Sequence, residues 1–197
     1  GGLYAVESWY SWHSRDDYTN NIFSIRNTYY GRIDDNDVDK VDGNLNAFAS
    51  YADFDDAGDI AEKSLSRLIA SVNTELDEKI KTLIFESAKA IQAIPQPFRN
   101  NIDSEESVAA MDKCMELASA LKNELLPVVT NELSDSKYDA QLDAVAEQFV
   151  DAVVLPTYKE LKEKNTALLE SVNNFRSHPS SEAFEAACSA WINAREP

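Results

Sequence analysis

Three aspartates at alternate positions in an acidic stretch could bind a hard cation. The stretch reads RIDDNDVDKVDG and covers residues 32–43. The three are Asp35, Asp37 and Asp39. A calcium-binding EF-hand loop needs oxygen ligands at positions 1, 3 and 5, a glycine at position 6 and a bidentate glutamate at position 12. Position 6 is Lys40 here and position 12 is Asn46. The mismatch favours a solvated acidic loop, so the three aspartates are weak candidates for a metal site.

The two histidines, His13 and His178, are isolated from each other in the sequence. Neither belongs to an H-E-x-x-H motif, and His178 precedes Pro179 in a predicted turn. This pattern excludes a zinc centre made of several histidines and gives weak support to a mixed carboxylate–histidine site. The chain has no Walker motif and no G-x-G-x-x-G, and it lacks a local signature of a Ser-His-Asp or Cys-His arrangement.

Cys114 and Cys188 both fall on apolar stripes of predicted helices. Free cysteine commonly packs as a small hydrophobic residue, and we expect this of both. A disulfide between them stays open as an alternative, because spacing along the chain does not give the distance between two residues in space.

The charge balance restricts the classes of partner. Eighteen basic and 35 acidic side chains give a net charge of −17, which repels phosphate backbones and argues against nucleic-acid binding. The same charge would attract cations or basic partners. No stretch reaches the ~20 apolar residues of a membrane span, and no signal peptide is recognisable, as in a mature exported protein.

The elements that would position these residues are predicted to be helices. Only five glycines and six prolines occur in 197 residues, which leaves little turn chemistry for a sheet protein. We predict an all-α fold, a helical bundle of five to six helices with short connections and one acidic loop. Residues 1–197 are predicted to form a single domain.

The first helix is predicted from its cap, its stripe and its end. Ser14 is the expected N-cap, and Gly31 is the expected C-terminal glycine. The apolar stripe between them consists of Tyr18, Ile22, Ile25 and Tyr29.

Further helices follow from the same kind of signal. We expect a short piece at 45–51, a helix at 60–72, and a third that begins at Thr74 with Asp77 as its capping-box partner. Its stripe is Leu76, Ile80, Leu83, Ile84, Ile91 and Ile94.

The second half of the chain shows the same periodicity. Asp103 and Glu106 are the expected capping-box pair of a helix whose row Val108, Met111, Met115, Ala118, Leu121 and Leu125 is predicted to lie in the core. Pro156 should kink or interrupt the helix that follows Tyr138. Ser180 or Ser181 should cap the last helix. Trp191 and Arg195 on that helix could form a cation–π pair, but a helix-end aromatic with a neighbouring basic side chain is the favoured interpretation.

Several stretches resemble imelysin-like proteins. SWYSWHSRDDYTNNIFSIRNTYYG, AIPQPFRNNI and LKNELLP resemble that family's closing half, and VVLPTYKELKEKNTALLESVNNF and AACSAWINAREP resemble its opening half. The sharpest local signals are N-x-Y-x-G at Asn27, Tyr29 and Gly31, and W-x-x-x-R-x-P at Trp191, Arg195 and Pro197. The resemblance extends beyond these stretches and spans most of the chain.

The order of the two halves is reversed. Residues 3–133 resemble the family's C-terminal half and residues 138–197 its N-terminal helices, so TNELSDSK at 130–137 would be the join. The resemblance predicts a circular permutation, of natural or engineered origin, that lacks the central part with the family's G-x-H-x-x-E motif. It also implies that the helix at Trp191 continues in the family beyond the last residue of this chain.

The resemblance implies a function. The family is known for a metallopeptidase and for envelope proteins implicated in bacterial iron uptake. Without G-x-H-x-x-E we expect a non-enzymatic binding or structural domain associated with iron uptake. A metal-dependent peptidase and a calcium-binding acidic module are the alternatives. The implied cofactor of the intact family protein is iron or another divalent cation.

The resemblance also implies a location, partners and a site. The location is the periplasm or outer cell envelope. The partners would be another envelope protein, a companion domain or a second copy of the chain. Asn27, Tyr29 and Arg195 would lie near the family's binding site. The structural alternative for Tyr29 is a core position on the stripe of Ile22 and Ile25.

Overall fold

The computed structural model describes residues 12–33, 45, 48–54 and 57–195. Throughout these ranges the regular structure is helical, without a strand, which confirms the all-α class. No helix in these ranges is long and apolar enough to cross a membrane. The α-helices are α1 (Ser14–Tyr30), α2 (Tyr51–Phe54), α3 (Leu65–Val72), α4 (Thr74–Gln92), α5 (Glu105–Ala120), α6 (Asp139–Phe149), α7 (Leu155–Ser177) and α8 (Ser181–Asn193).

The chain divides into two compact units, residues 1–149 and 150–197. In the first unit α1, α3, α4 and α5 pack together, and α6 contacts α3. In the second unit α7 and α8 pack as a helical hairpin, with the rings of Phe175 and Phe184 5.5 Å apart. A single domain over residues 1–197 stays a prediction.

The core of the first unit contains the stripe predicted for α4. All six of its members are less than 8% exposed. They are Leu76, Ile80, Leu83, Ile84, Ile91 and Ile94. Tyr138, Leu142 and Val145, which precede or lie on α6, pack against this core. Residues on both sides of the predicted join at 130–137 therefore share one apolar interior.

The ends of α1 follow the prediction at one terminus and depart from it at the other. Gly31 adopts a left-handed conformation, with φ of +69°, and its N–H donates to the carbonyl of Asn27 over 2.9 Å. The predicted cap at Ser14 is wrong by one residue. His13 is the N-cap, and its carbonyl accepts the N–H of Asp17, so Ser14 already belongs to the first turn.

The start of α4 also differs from the prediction. Asn73 is the N-cap, and its side-chain oxygen accepts the N–H of Leu76 over 3.0 Å. Thr74 is the first helical residue, and its hydroxyl instead donates to the carbonyl of Ala70. The predicted capping box is therefore wrong, and the carboxylate of Asp77 is directed into the interior.

The predicted core row is wrong over α5, where Ala118 is also exposed, and is confirmed only at its end, where Leu125 is buried and Leu121 packs against the core. Val108, Met111 and Met115 are exposed by 56%, 62% and 62%. The buried residues of this helix are Ala110, Leu117 and Ala120. The N-cap is Ser104, which accepts the N–H of Ser107 over 3.2 Å, and not Asp103.

Proline positions coincide with π-helical turns. Leu121–Leu125 and Val128–Glu132 lie on either side of Pro127, and Val150–Val154 lies directly before α7, whose first turn contains Pro156. A proline has no N–H to donate and its ring clashes with the carbonyl four residues earlier, which disrupts regular α-helical bonding. The predicted interruption at Pro156 is confirmed.

Two other helices differ from the prediction. The helix predicted at 60–72 begins at Leu65, where the side chain of Ser64 accepts the N–H of Arg67. The piece predicted at 45–51 lies partly outside the described residues, which omit 46 and 47; residues 48–50 are not helical, and α2 covers Tyr51–Phe54. The cap predicted at Ser180 is confirmed by its hydrogen bond from the N–H of Ala183.

Candidate functional site

A buried carboxylate joins three helices of the first unit. Asp77 on α4 is 2% exposed and lies beside Tyr29 of α1, which is 2% exposed, and Ser66 of α3, which is 1% exposed. Lys81, one turn further along α4, is 8% exposed. We call these four residues the Asp77 cluster.

The geometry of the Asp77 cluster satisfies both oxygens of the carboxylate. Oδ1 accepts the hydroxyl of Tyr29 over 2.9 Å and the hydroxyl of Ser66 over 2.6 Å. Oδ2 lies 2.9 Å from Nζ of Lys81. Hydrogen bonds to an ionised group are shorter and stronger than those between neutral groups, so the three contacts offset much of the cost of burying a charge.

The local sequence of α4 explains how a charged pair reaches the interior. Asp77 lies between Leu76 and Ile80 on the face that packs against α1 and α3. Lys81 follows four residues later, and side chains at this spacing are neighbours on one face of a helix. The N-terminal turn also favours a negative charge at Asp77 because the amide groups there carry positive partial charge.

The surroundings of Tyr29 and Lys81 raise the pKa of both side chains. Burial, followed by the charge of Asp77, raises the pKa of Tyr29 well above its ordinary value. For Lys81, burial acts to lower the pKa, but hydrogen bonds to Glu78 and Asp77 outweigh it and leave the pKa raised. At neutral pH Tyr29 is therefore a neutral donor and Lys81 is a cation.

The Asp77 cluster is closed to large molecules. Lys81 lines a cavity of about 10 Å³, together with Arg26 and the rings of Tyr30 and Tyr51. A cavity of this size has room for about one water molecule. With all three carboxylate contacts made inside the protein, the arrangement is suited to holding helices together and leaves no space for a polypeptide substrate.

A second ion pair includes Arg26, which also lines that cavity. Nη2 of Arg26, on α1, is 3.1 Å from Oδ2 of Asp59, and the Arg26 side chain is 4% exposed. Its guanidinium also lies 5.0 Å from the ring centre of Tyr30 and 5.8 Å from that of Phe23. Arg26 and Lys81 are thus two buried cations that each have an acidic partner.

The residues predicted for the binding site are distributed over both units. Asn27 is half-buried on the last turn of α1, where its carbonyl accepts the Gly31 N–H. Tyr29 is a member of the Asp77 cluster. Arg195 belongs to the second unit, is exposed, and lies over the ring of Trp191 at 5.1 Å, so the cation–π pair forms and the favoured interpretation without it is wrong. The role of these three residues in binding stays a prediction.

The weak metal candidates, Asp35, Asp37 and Asp39, lie outside the described residues. Within the described ranges, no group of three or more His, Cys, Asp or Glu side chains could hold a metal ion. His13 has one acidic neighbour, Asp16, with 3.6 Å between Nδ1 and Oδ2. The side chains of the described residues therefore do not fit a metallopeptidase centre.

Both cysteines are free thiols. Cys114 is half-buried beside the core of the first unit, and burial raises its pKa, as expected for a packed thiol. Cys188 is exposed on α8, so the prediction that it packs as a core residue is wrong.

Sequence reasoning missed three of the four members of the Asp77 cluster as a site. The sequence pattern predicts a capping role for Asp77 and gives no specific role to Ser66 or Lys81. A usable signal was present, since an Asp and a Lys four residues apart interrupt an otherwise apolar stripe between Leu76 and Ile84. Charged side chains on a core-facing row need hydrogen-bonding or charged partners inside the protein.

The comparison with family models decides the family. The imelysin model, peptidase M75, matches residues 2–125 and 154–197. The chain belongs to the imelysin family. The match leaves residues 126–153 uncovered, a range that includes the predicted join at 130–137, and the reversed order of the family segments stays a prediction.

A solved structure agrees with this assignment. The chain is similar to the crystal structure of an imelysin peptidase from Bacteroides ovatus, with 55% sequence identity and a TM-score of 0.82. The similarity covers 99% of this imelysin chain and 49% of the Bacteroides protein, so the chain spans about half the length of that relative. No curated protein matches the chain.

Proposed function

We propose that this imelysin chain is a non-enzymatic binding or structural domain that acts in the bacterial cell envelope in iron uptake. Membership of the family supports the envelope and the link to iron. Within the described residues, the Asp77 cluster is closed to solvent, which supports a structural role for it. The binding role is assigned to exposed surfaces.

One observation carries the non-enzymatic part of the proposal. The carboxylate of Asp77 is 2% exposed and accepts from Tyr29, Ser66 and Lys81 at once. A general base or metal ligand must reach its substrate or metal from a free position. Asp77 has no oxygen directed to solvent, and the neighbouring cavity of about 10 Å³ admits no peptide bond.

The test of this part is a cleavage assay. The chain is incubated with an unfolded polypeptide in the presence of Zn²⁺ or Fe²⁺, with a chelator-treated sample as the control. We expect no metal-dependent fragments by mass spectrometry. Cleavage that requires the metal and persists after further purification would favour the alternative, a metal-dependent peptidase like the one that names the Bacteroides relative.

The envelope part is tested separately. An antibody against this chain is used on cytosolic, periplasmic and membrane fractions of the bacterium that encodes it. We expect the signal in the periplasm or outer envelope, and slower growth on limiting iron when the gene is deleted. A cytosolic signal, or equal growth of both strains under iron limitation, would contradict the proposal.

A further inference from the structure

α7 has a row of exposed side chains at alternating spacings of three and four residues. Leu155, Tyr158, Leu169 and Val172 are exposed by 57%, 66%, 61% and 46%. The exposed polar members of the row are Lys162, Asn165 and Arg176, with Asp151 one turn before the helix. This is the heptad spacing of a helix that packs along a second helix.

A neighbouring side of α7, about 100° around the helix from this row, is already used. Leu161, Leu168 and Phe175 are half-buried at the same spacing, and α7 contacts α8 within the hairpin. Phe175 stacks on Phe184 of α8. The helix therefore has two parallel rows, one that packs inside its own unit and one, which we call the outer row, that is exposed.

The outer row is symmetric about its midpoint, between residues 163 and 164. If a second copy of α7 lies antiparallel to the first about this midpoint, Leu155 faces Val172 and Tyr158 faces Leu169. Each apolar residue then meets an apolar residue. In a parallel alignment of identical residues, Lys162 would face Lys162 and Arg176 would face Arg176, which places like charges together.

The polar members of the outer row are complementary in the same register. Lys162 faces Asn165, whose Nδ2 donates to the carbonyl of Leu161 over 2.8 Å, so Oδ1 is the atom directed to the Lys162 ammonium. Asp151 at one end faces Arg176 at the other. Polar pairs within an apolar seam select one register and orientation, because any other alignment leaves them opposite apolar side chains.

The charge distribution permits association of two copies through this surface. Residues 150–197 contain seven acidic and five basic side chains, a net charge of −2, against −17 for the whole chain. Repulsion between copies is thus concentrated in residues 1–149. The second unit is the part of the molecule where self-association meets the least electrostatic opposition.

We propose that the outer row of α7 is a dimerisation surface that pairs antiparallel with α7 of a second copy of this chain. The interface consists of two Leu155–Val172 contacts and two Tyr158–Leu169 contacts, with Lys162–Asn165 pairs at the centre and Asp151–Arg176 pairs at the ends. This inference stands on α7 alone and is independent of the proposed function.

The mass in solution gives the first test. Sedimentation velocity of the full chain over a range of concentrations should show a species of about twice the 22.0 kDa of a single chain. Leu169→Lys should raise the dissociation constant about tenfold or more, because the dimer contains the change twice. The matched control is Ala167→Lys, an exposed residue on the other side of α7 that adds the same charge and should leave the mass unchanged.

The register gives the second test. In a Cys114→Ser/Cys188→Ser background, Leu155→Cys and Val172→Cys are made separately. An antiparallel pair keeps two copies of residue 155 about 25 Å apart, which no disulfide can bridge. We expect mild oxidation to link the two variants when they are mixed, and neither one to itself.

Three results would overturn the proposal. They are a single-chain mass at all concentrations, a dimer that Leu169→Lys does not weaken, and Leu155→Cys that links to itself. Circular dichroism of each variant identifies any loss of helix, and Ala167→Lys shows whether added charge alone changes association.

Discussion

The hydroxyl of Tyr29 donates a hydrogen bond to Oδ1 of Asp77 over 2.9 Å and joins residues 48 positions apart in the chain. Ser66 donates to the same oxygen, so α1, α3 and α4 meet at one carboxylate atom. A neutral phenol and a hydroxyl directed at a buried anion hold three helices in one relative arrangement. The hydroxyl of Tyr29, that of Ser66 and the carboxylate of Asp77 can each be removed by a single substitution.

Replacing Tyr29 by Phe should destabilise the protein by about 1–3 kcal/mol, because it removes one charge-assisted hydrogen bond while leaving the ring in place. Urea unfolding followed by circular dichroism measures the change. The same atom is removed by Tyr158→Phe, whose ring is 66% exposed in the single chain, and in a Leu169→Lys background, which disrupts the proposed dimer, this control should change the free energy of unfolding by less than about 0.5 kcal/mol. Equal effects of the two changes would contradict the role of Tyr29.

Replacing Asp77 by Ala should cost about 3–5 kcal/mol, because it leaves the buried hydroxyls of Tyr29 and Ser66 without their acceptor and Lys81 with only the exposed Glu78 as an acidic partner. Changing the pair together, as Asp77→Ala/Lys81→Met, should restore part of that loss, since a neutral apolar pair carries no desolvation cost. The double-mutant cycle is measured by urea unfolding. Strictly additive losses would show that the two residues do not interact.

The free energy of unfolding should fall as the pH rises above about 10. Tyr29 and Lys81 both have pKa values raised in the folded protein, and the ordinary values of the unfolded groups are about 10 and 10.4. The stability from each is fully present below these values and is lost as pH rises, because only the unfolded state then releases protons. Tyr29→Phe/Lys81→Met should show a shallower fall between about pH 9 and 11, and a slope equal to that of the parent would refute the assignment.

Gly31→Ala should destabilise the protein by about 1–2 kcal/mol, the cost of a side chain in the left-handed region. The φ of Gly31 is +69°, and an added Cβ would lie 3.1 Å from Cγ of Gln148. The side chain of Gln148 also donates to the Gly31 carbonyl over 2.9 Å, so this contact would shift. Gly58→Ala is the control, because a Cβ there meets no atom within 4 Å. Thermal unfolding of the two variants should show a lower melting temperature only for Gly31→Ala.

Millimolar calcium should produce no saturable heat in a calorimetric titration of the chain. The acidic stretch has Lys40 in place of the EF-hand glycine and Asn46 in place of the bidentate glutamate. A stoichiometric signal that disappears in Asp35→Asn/Asp37→Asn would support the calcium alternative instead.

The apolar stripe of α4 and the glycine cap of α1 could be predicted from sequence because both depend on local properties. Leu76, Ile80 and Ile84 lie on one face of the helix and are all apolar, so burying that face is the favourable orientation of the helix. The left-handed residue at Gly31 follows from the absence of a Cβ. The members of the Asp77 cluster were harder to identify, since an acidic residue in a first turn fits capping as well as burial.

The sequence alone determined that this protein is all-α, where most helices lie, and that it resembles the imelysin family. These properties follow from composition, periodicity and quoted stretches of residues. Only the tertiary structure decided which side of α5 is buried and where Asp77 is directed. Helical periodicity groups residues on a face, but whether that face packs depends on neighbours distant in the chain. Val108, Met111 and Met115 satisfy the periodicity and are exposed, whereas Asp77 breaks the apolar pattern and is buried because Tyr29, Ser66 and Lys81 meet it there.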